Sequence, residues 1–218
     1  KFNKFLNNDG YFVSCANGTD AITLALFAHD ISSGYVITPS HTAPASILGI
    51  INAGCKPLFV DVDPETALIC INEVEEKLRN EPNIRAILAV HLYGNGINMP
   101  KLNKAVRSYN CIVIEDCAQS AGTQILGKYA GTFSDAGTFS FFPTKNLAAL
   151  GDGGGVWVSN KKLQTKIESL RQYGWNKNRV VKVANGMNSR LDELQAVVLQ
   201  IRLKDLKTLP NWLPFYKP

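Results

Sequence analysis

Short apolar runs alternate with longer amphipathic stretches along the chain. Six runs read as strands: Tyr35–Thr38, Leu58–Val60, Ala86–His91, Ile112–Glu115, Gly137–Phe141 and Gly155–Ser159. Their apolar character suits strands buried on both faces, as in a parallel sheet covered by helices. The intervening stretches have helical spacing. Thr19–His29 opens on a hydroxyl residue and continues through Ile22, Leu24, Ala25 and Leu26; Asn72–Arg79 sets Val74 and Leu78 four apart. Lys101–Ser108, Lys161–Arg171 and Ser189–Lys207 follow, the last with a stripe of Leu191, Leu194, Val197, Val198, Ile201 and Leu206. Residues 1–10 read as the tail of a helix. Strand and helix in alternation predict βαβ crossovers and an α/β fold with a doubly wound, mostly parallel sheet flanked by helices.

Composition narrows the class. The chain has 218 residues, 45% hydrophobic and 19% charged, enough for one sizeable globular domain. Its net charge of +5 is scattered, which suits an anionic small molecule better than nucleic acid. No apolar run is long enough for a membrane-spanning helix, and no signal-peptide pattern is visible at the start. Five cysteines with no CxxC pair argue against a disulfide framework or a zinc site. They read as free buried thiols in a reducing cytoplasm.

Three constellations can carry chemistry. In Ser14-Cys-Ala-Asn-Gly18-Thr19-Asp20, a glycine and a hydroxyl residue precede a helix, which makes either a plain helix cap or a phosphate site. In Ile112-Val-Ile-Glu115-Asp116-Cys-Ala-Gln119, carboxylates end a buried strand, where open α/β sheets bind ligands. Such a carboxylate is either an exposed strand end or the partner of a protonated ring nitrogen. In Ser140-Phe-Phe-Pro-Thr-Lys145-Asn146, a lysine follows an apolar strand among aromatics. It is either a surface lysine or an amine able to form a Schiff base.

Other chemistries fail on spacing. There is no GxSxG or HExxH, and the three histidines have no metal-ligand spacing. His29 reads as a helix end, while His41 and His91 each fall at a strand end, where a site role is open to both. Gly122–Tyr129 matches a P-loop until Tyr129 stands where Ser or Thr would hold magnesium. The run Gly151-Asp-Gly-Gly-Gly155 fits no nucleotide fingerprint and reads as a tight turn beside the site into the next strand.

The ordered set ANGTDA, TPSHTA, FVDVDP, HLYG, EDCAQ, FSFFPTKN, GDGG and NSRLDELQA resembles the DegT/DnrJ/EryC1/StrS sugar aminotransferases, from about Ser14 to about Leu206. The resemblance implies the large domain of the pyridoxal-5'-phosphate (PLP) transferase fold type I, aspartate aminotransferase-like. It implies Lys145 as the cofactor lysine and proton shuttle, and Asp116 as the partner of the pyridine nitrogen. Gln119 would lie near the ring hydroxyl, and Gly18, Thr19 and Ser140 would bind the phosphate. His41 would cover the ring, since Ala43 stands where an aromatic is usual. Asn188 would reach the cofactor phosphate of a neighbouring subunit, which implies a homodimer with shared active sites.

The stretch Leu170–Trp175 before Gly186–Arg190 resembles most the branch that aminates C3 of nucleotide-linked 3-keto-6-deoxyhexoses, with glutamate as usual donor. A PLP-dependent lyase or decarboxylase of the same fold fits the NSRLDELQA stretch less well. Relative to that family the expected organisation is a large domain over 1–208, short at its N-terminus, a Pro- and aromatic-rich tail over 209–218, and no small C-terminal domain. On that reading the alternative to an active enzyme is an impaired remnant that binds PLP weakly or serves only in assembly.

Overall fold

The computed structural model describes residues 1–6 and 9–207, so the expected tail over 209–218 lies outside the described residues. Seven strands form one sheet: β1 (Tyr11–Cys15), β2 (Tyr35–Pro39), β3 (Lys56–Val60), β4 (Ile84–Val90), β5 (Ile112–Asp116), β8 (Ala136–Ser140) and β9 (Gly154–Val158). A small hairpin between β5 and β8 supplies β6 (Gln124–Ile125) and β7 (Lys128–Tyr129). The main sheet runs in the order β1-β9-β8-β5-β4-β2-β3. The pairs β3–β2–β4–β5–β8 are parallel, and β9 is antiparallel to both β8 and β1. This is the mostly parallel sheet expected from the alternating pattern.

Helices cover both faces: α1 (Phe2–Phe5), α2 (Gly18–Ala28), α3 (Pro44–Asn52), α4 (Ile71–Asn80), α5 (Met99–Val106), α6 (Lys161–Leu170) and α7 (Glu193–Arg202). Alternation along the strands distributes the core. Val36, Leu88, Ile114 and Val156 pack on one face with Leu24 of α2, Ile50 of α3 and Ile167 of α6. Their neighbours Ile37, Ile87 and Val113 pack on the other with Val74 of α4 and Leu102 of α5. Phe139 and Trp157 join Phe5 and Leu199 of α7 in a third cluster. Burial on both faces explains the continuous apolar runs.

The structure corrects several boundaries. Among the described residues before Tyr11 the only regular element is the short α1, and the chain then enters an unanticipated edge strand, β1. The helix α3 was also unanticipated; it starts with Pro44 in its first turn, after Ala43 in extended backbone. The last helix is shorter than 189–207: α7 begins after Asp192 and ends at Arg202, with a separate 3-10 turn at Asp205–Lys207. Its expected stripe is split, because Leu194, Val197 and Ile201 are exposed while Leu206 is buried. All five cysteines are free, but only Cys15, Cys55 and Cys117 are buried. Among the described residues no helix is long and apolar enough to cross a membrane.

The register fixes where chemistry can occur. Asp116 ends β5 opposite Thr138 of β8, and Ser140 ends β8 opposite Gly154 of β9, which also faces Cys15 at the end of β1. Because β1, β5 and β8 run the same way, their carboxyl ends deliver Asn17-Gly18-Thr19, Asp116 and Ser140 to one edge of the sheet, the usual ligand edge of such folds.

Candidate functional site

A cavity of about 240 Å³ opens at that edge, and Gly18, Thr19, Asp116, Gln119, Ser140 and Lys145 all line it. Residues far apart in sequence therefore converge on one cavity. Asn17, Ser46, Phe142 and Asp152 complete much of the wall.

One end of the cavity is built from the start of α2. The side chain of Asn17 caps the helix by accepting the N–H of Asp20 at 2.8 Å. The first intrahelical bond runs from Ala21 N–H to Asn17 C=O, so the N–H groups of Gly18 and Thr19 have no intrahelical carbonyl. With the Thr19 and Ser140 hydroxyls they form a donor-rich cradle at a helix N-terminus, which attracts an anion. Glycine is required here by close approach. A Cβ on Gly18 would stand 2.7 Å from Cβ of Ser140, and one on Gly154 would overlap the carbonyl of Asn17. The run at 151–155 thus lets the helix end sit against β9. None of its glycines has positive φ, so the expected tight turn is replaced by a need for space.

Asp116 is almost fully buried, at 4% exposure. Its Oδ1 accepts the N–H of Ala118 at 3.0 Å, and its Oδ2 accepts the hydroxyl of Ser46 at 2.8 Å. Gln119 is oriented by the Tyr93 N–H, which it accepts through Oε1 at 2.8 Å. The side chain's remaining groups are the two amide N–H donors. Lys145 is half-buried, and its N–H closes a turn onto Phe142 C=O at 2.9 Å.

A supporting layer tightens this edge. Ser189 is fully buried; its hydroxyl accepts the Ala16 N–H at 3.0 Å and donates to Asp20 at 2.7 Å, tying the segment after α6 to the start of α2. From α7, Gln195 accepts the N–H groups of Leu150 and Gly151, and Arg202 donates to the carbonyls of Ala148 and Ala149. The loop that leaves Lys145 is therefore held from the helix of the NSRLDELQA stretch. Ser46, Asn17 and Ser189 were not anticipated. Only Asn17 carried a local signal, as a residue preceding a helix.

Two expected residues lie elsewhere. His41 is not among the residues lining the cavity; it is exposed, with Nε2 3.2 Å from the Tyr93 hydroxyl. Asn188 is also exposed and outside the wall, bridged to Gln172 next to the buried Ser189. His91 is buried and takes no part in the cavity. Its Nδ1 accepts the N–H of Ile97, so Nε2 carries the proton toward Glu115 at 3.0 Å. Its place at a strand end serves the fold instead.

The donor set fits a pyridoxal phosphate group. The cradle matches a phosphate, a buried carboxylate stands ready for a ring nitrogen, and an amide donor and a lysine complete the wall. The DegT/DnrJ/EryC1/StrS aminotransferase family model matches residues 1–211. The dTDP-3-amino-3,6-dideoxy-alpha-D-galactopyranose transaminase of Aneurinibacillus thermoaerophilus is 45% identical over 90% of the chain and 53% of its own length. Among solved structures, S. venezuelae DesV in complex with a ketimine intermediate superposes with a TM-score of 0.90 at 36% identity, covering 95% of this chain and 55% of that one. NtdA from Bacillus subtilis with bound cofactor PMP superposes with a TM-score of 0.85 at 33% identity, covering 94% and 46%. The chain spans about half the length of the curated relatives it matches.

Proposed function

The chain belongs to the DegT/DnrJ/EryC1/StrS aminotransferase family, and from that membership we propose that it carries the PLP site of an enzyme that moves an amino group from glutamate to a nucleotide-linked keto-deoxysugar. The observation that carries this reading is the convergence of Gly18, Thr19, Asp116, Gln119, Ser140 and Lys145 on one cavity. Relatives named as transaminases of dTDP-linked amino sugars support the substrate class.

When bound, the cofactor supplies an electron sink for the carbon that exchanges its amino group. The N–H groups of Gly18 and Thr19 and the hydroxyls of Thr19 and Ser140 hold its phosphate. The carboxylate of Asp116 keeps a proton on the ring nitrogen. Gln119, whose Oε1 accepts the Tyr93 N–H, would offer an amide donor to the ring hydroxyl. Lys145 would provide the amine that secures the cofactor and a base able to hold and return a proton.

The partner in this reading is a second copy of the chain. Leu194, Val197 and Ile201 form an exposed apolar stripe on α7, and Leu150, 62% exposed, is held to the same helix through Gln195. Contiguous apolar surface of this kind is a recognition surface. Asn188, exposed next to Ser189, which bonds the start of α2, is the residue proposed to reach the other copy's phosphate cradle. The free thiols accord with a reducing, cytoplasmic setting.

The test is a pair of half-reactions on the PLP-loaded protein. Glutamate should bleach the bound chromophore and release 2-oxoglutarate, and a dTDP-linked 3-keto-6-deoxyhexose should restore it. Retention of the chromophore unchanged through both additions would contradict the proposal.

A further inference from the structure

We propose that Ser46 is a positioning residue for this site, the central member of a hydroxyl relay Thr42–Ser46–Asp116 that fixes the buried carboxylate from the cavity wall. The proposal rests on the functional reading above and adds a residue outside its set of cofactor contacts.

The relay follows from proton counting. The Ser46 hydroxyl lies 2.8 Å from Asp116 Oδ2, and the Thr42 hydroxyl lies 2.9 Å from that of Ser46. An ionised carboxylate only accepts, so Ser46 must donate its single proton to Asp116. Ser46 then has only lone pairs to offer Thr42, so Thr42 is the donor of the second bond. Both bonds therefore point one way, toward the carboxylate. The other oxygen, Oδ1, is held by the Ala118 N–H. Asp116 thus receives one donor on each oxygen, which fixes its rotation while a lone pair on each oxygen stays available to the cavity.

The route through the fold is non-local. Asp116 ends β5, whereas Thr42 and Ser46 belong to the loop after β2 and the first turn of α3. In the sheet β4 separates β5 from β2, so Ser46 reaches across a whole strand. It is 2% exposed, and a hydroxyl so buried is kept only with its partners satisfied. Charge-assisted bonds of this kind stabilise the ionised carboxylate. That favours leaving the shared proton on a ring nitrogen facing Asp116. Losing the relay would leave Asp116 free to rotate and its Oδ2 without the Ser46 donor.

The test uses the PLP-loaded chain and reads the cofactor spectroscopically, with the ring nitrogen labelled by ¹⁵N, alongside the PLP dissociation constant and the melting temperature. Ser46→Ala should weaken PLP retention roughly tenfold and move the ring-nitrogen resonance toward the unprotonated position. Ser46→Thr, which keeps the hydroxyl, should restore both. Thr42→Val, which removes only the outer donor, should shift both in the same direction by less, and it carries the test if Ser46→Ala does not fold. A Ser46→Ala protein with wild-type affinity and resonance would overturn the relay alone, as would a Ser46→Thr protein as defective as the alanine variant. A wild-type chain that forms no lysine adduct with PLP would overturn the functional reading and the relay with it.

Discussion

Nε2 of His91 donates to Oε2 of Glu115 at 3.0 Å, and both side chains are fully buried. Glu115 precedes Asp116, but its carboxylate also accepts the N–H groups of Gly131, Phe133 and Ser134. It therefore anchors the loop that leads into β8, and thereby Ser140, to the strand that carries Asp116. Two adjacent acids thus divide the work. One holds the frame together, and the other faces the cavity.

Glu115→Ala should be strongly destabilising, by about 3 kcal/mol, because it strands four donors, the buried His91 and Gly131 N–H groups and the part-buried N–H groups of Phe133 and Ser134. Glu115→Gln, which keeps an acceptor oxygen, should lose less. Chemical denaturation of both variants measures the difference, and equal losses would contradict the assignment.

Gly154→Ala tests the packing of the α2 N-terminus. The added Cβ would overlap the Asn17 carbonyl and stand 2.9 Å from Gly18 N. Overpacking against backbone costs about 1–3 kcal/mol. The cradle should be displaced with it, so the variant should lose both melting temperature and affinity for PLP. Loss of neither would show that the helix end has room.

Thiol labelling separates the cysteines. Burial pushes the Cys15 thiol up to about 12 and raises that of Cys117 well above the ordinary range, with Glu115 and Asp116 adding to the latter. Burial also raises Cys111, to about 11, and raises Cys55. The thiolate is the reactive form. At mildly alkaline pH the native protein should therefore label at the half-buried Cys70 first. Cys15 and Cys117 should label only after denaturation. Peptide mapping by mass spectrometry reads this directly.

The stability of the fold should fall in mild acid because of His29. Burial lowers its pKa below the usual 6.5, outweighing the opposing pull of Asp135. A base depressed in the folded state leaves stability unaffected above its unfolded pKa. As pH falls through 6.5 the unfolded chain gains a proton the folded one refuses, so stability is lost until the lowered folded value is reached. His29→Gln should flatten that part of the curve of melting temperature against pH. An unchanged slope would assign the acid loss to other groups.

Much of this architecture was legible in the sequence where burial is symmetric. β4 and β5 pack on helices on both faces, so their apolar runs announced them. β1 is only partly buried along its length, so it lacks the symmetric burial that announced β4 and β5. Helix α3 is apolar almost throughout, with no polar face to give it a period. The stripe on α7 misled for the opposite reason: its apolar side chains were real, but several face outward. For the site, the residues that line the cavity and are proposed to hold the cofactor lay in recognisable motifs. Ser46, Ser189 and Gln195 act across the fold, and no local spacing marks a contact between residues as distant as Ser46 and Asp116.

The central claim is that Lys145 lies in a working cofactor site, and one measurement tests it most directly. The purified chain is mixed with PLP, its absorbance recorded, and the complex reduced with borohydride and digested for mass spectrometry. The account predicts a Schiff-base band that disappears on reduction and a phosphopyridoxyl group fixed on Lys145, with neither in Lys145→Ala. A folded chain that carries no adduct, or carries it on another lysine, would contradict the account.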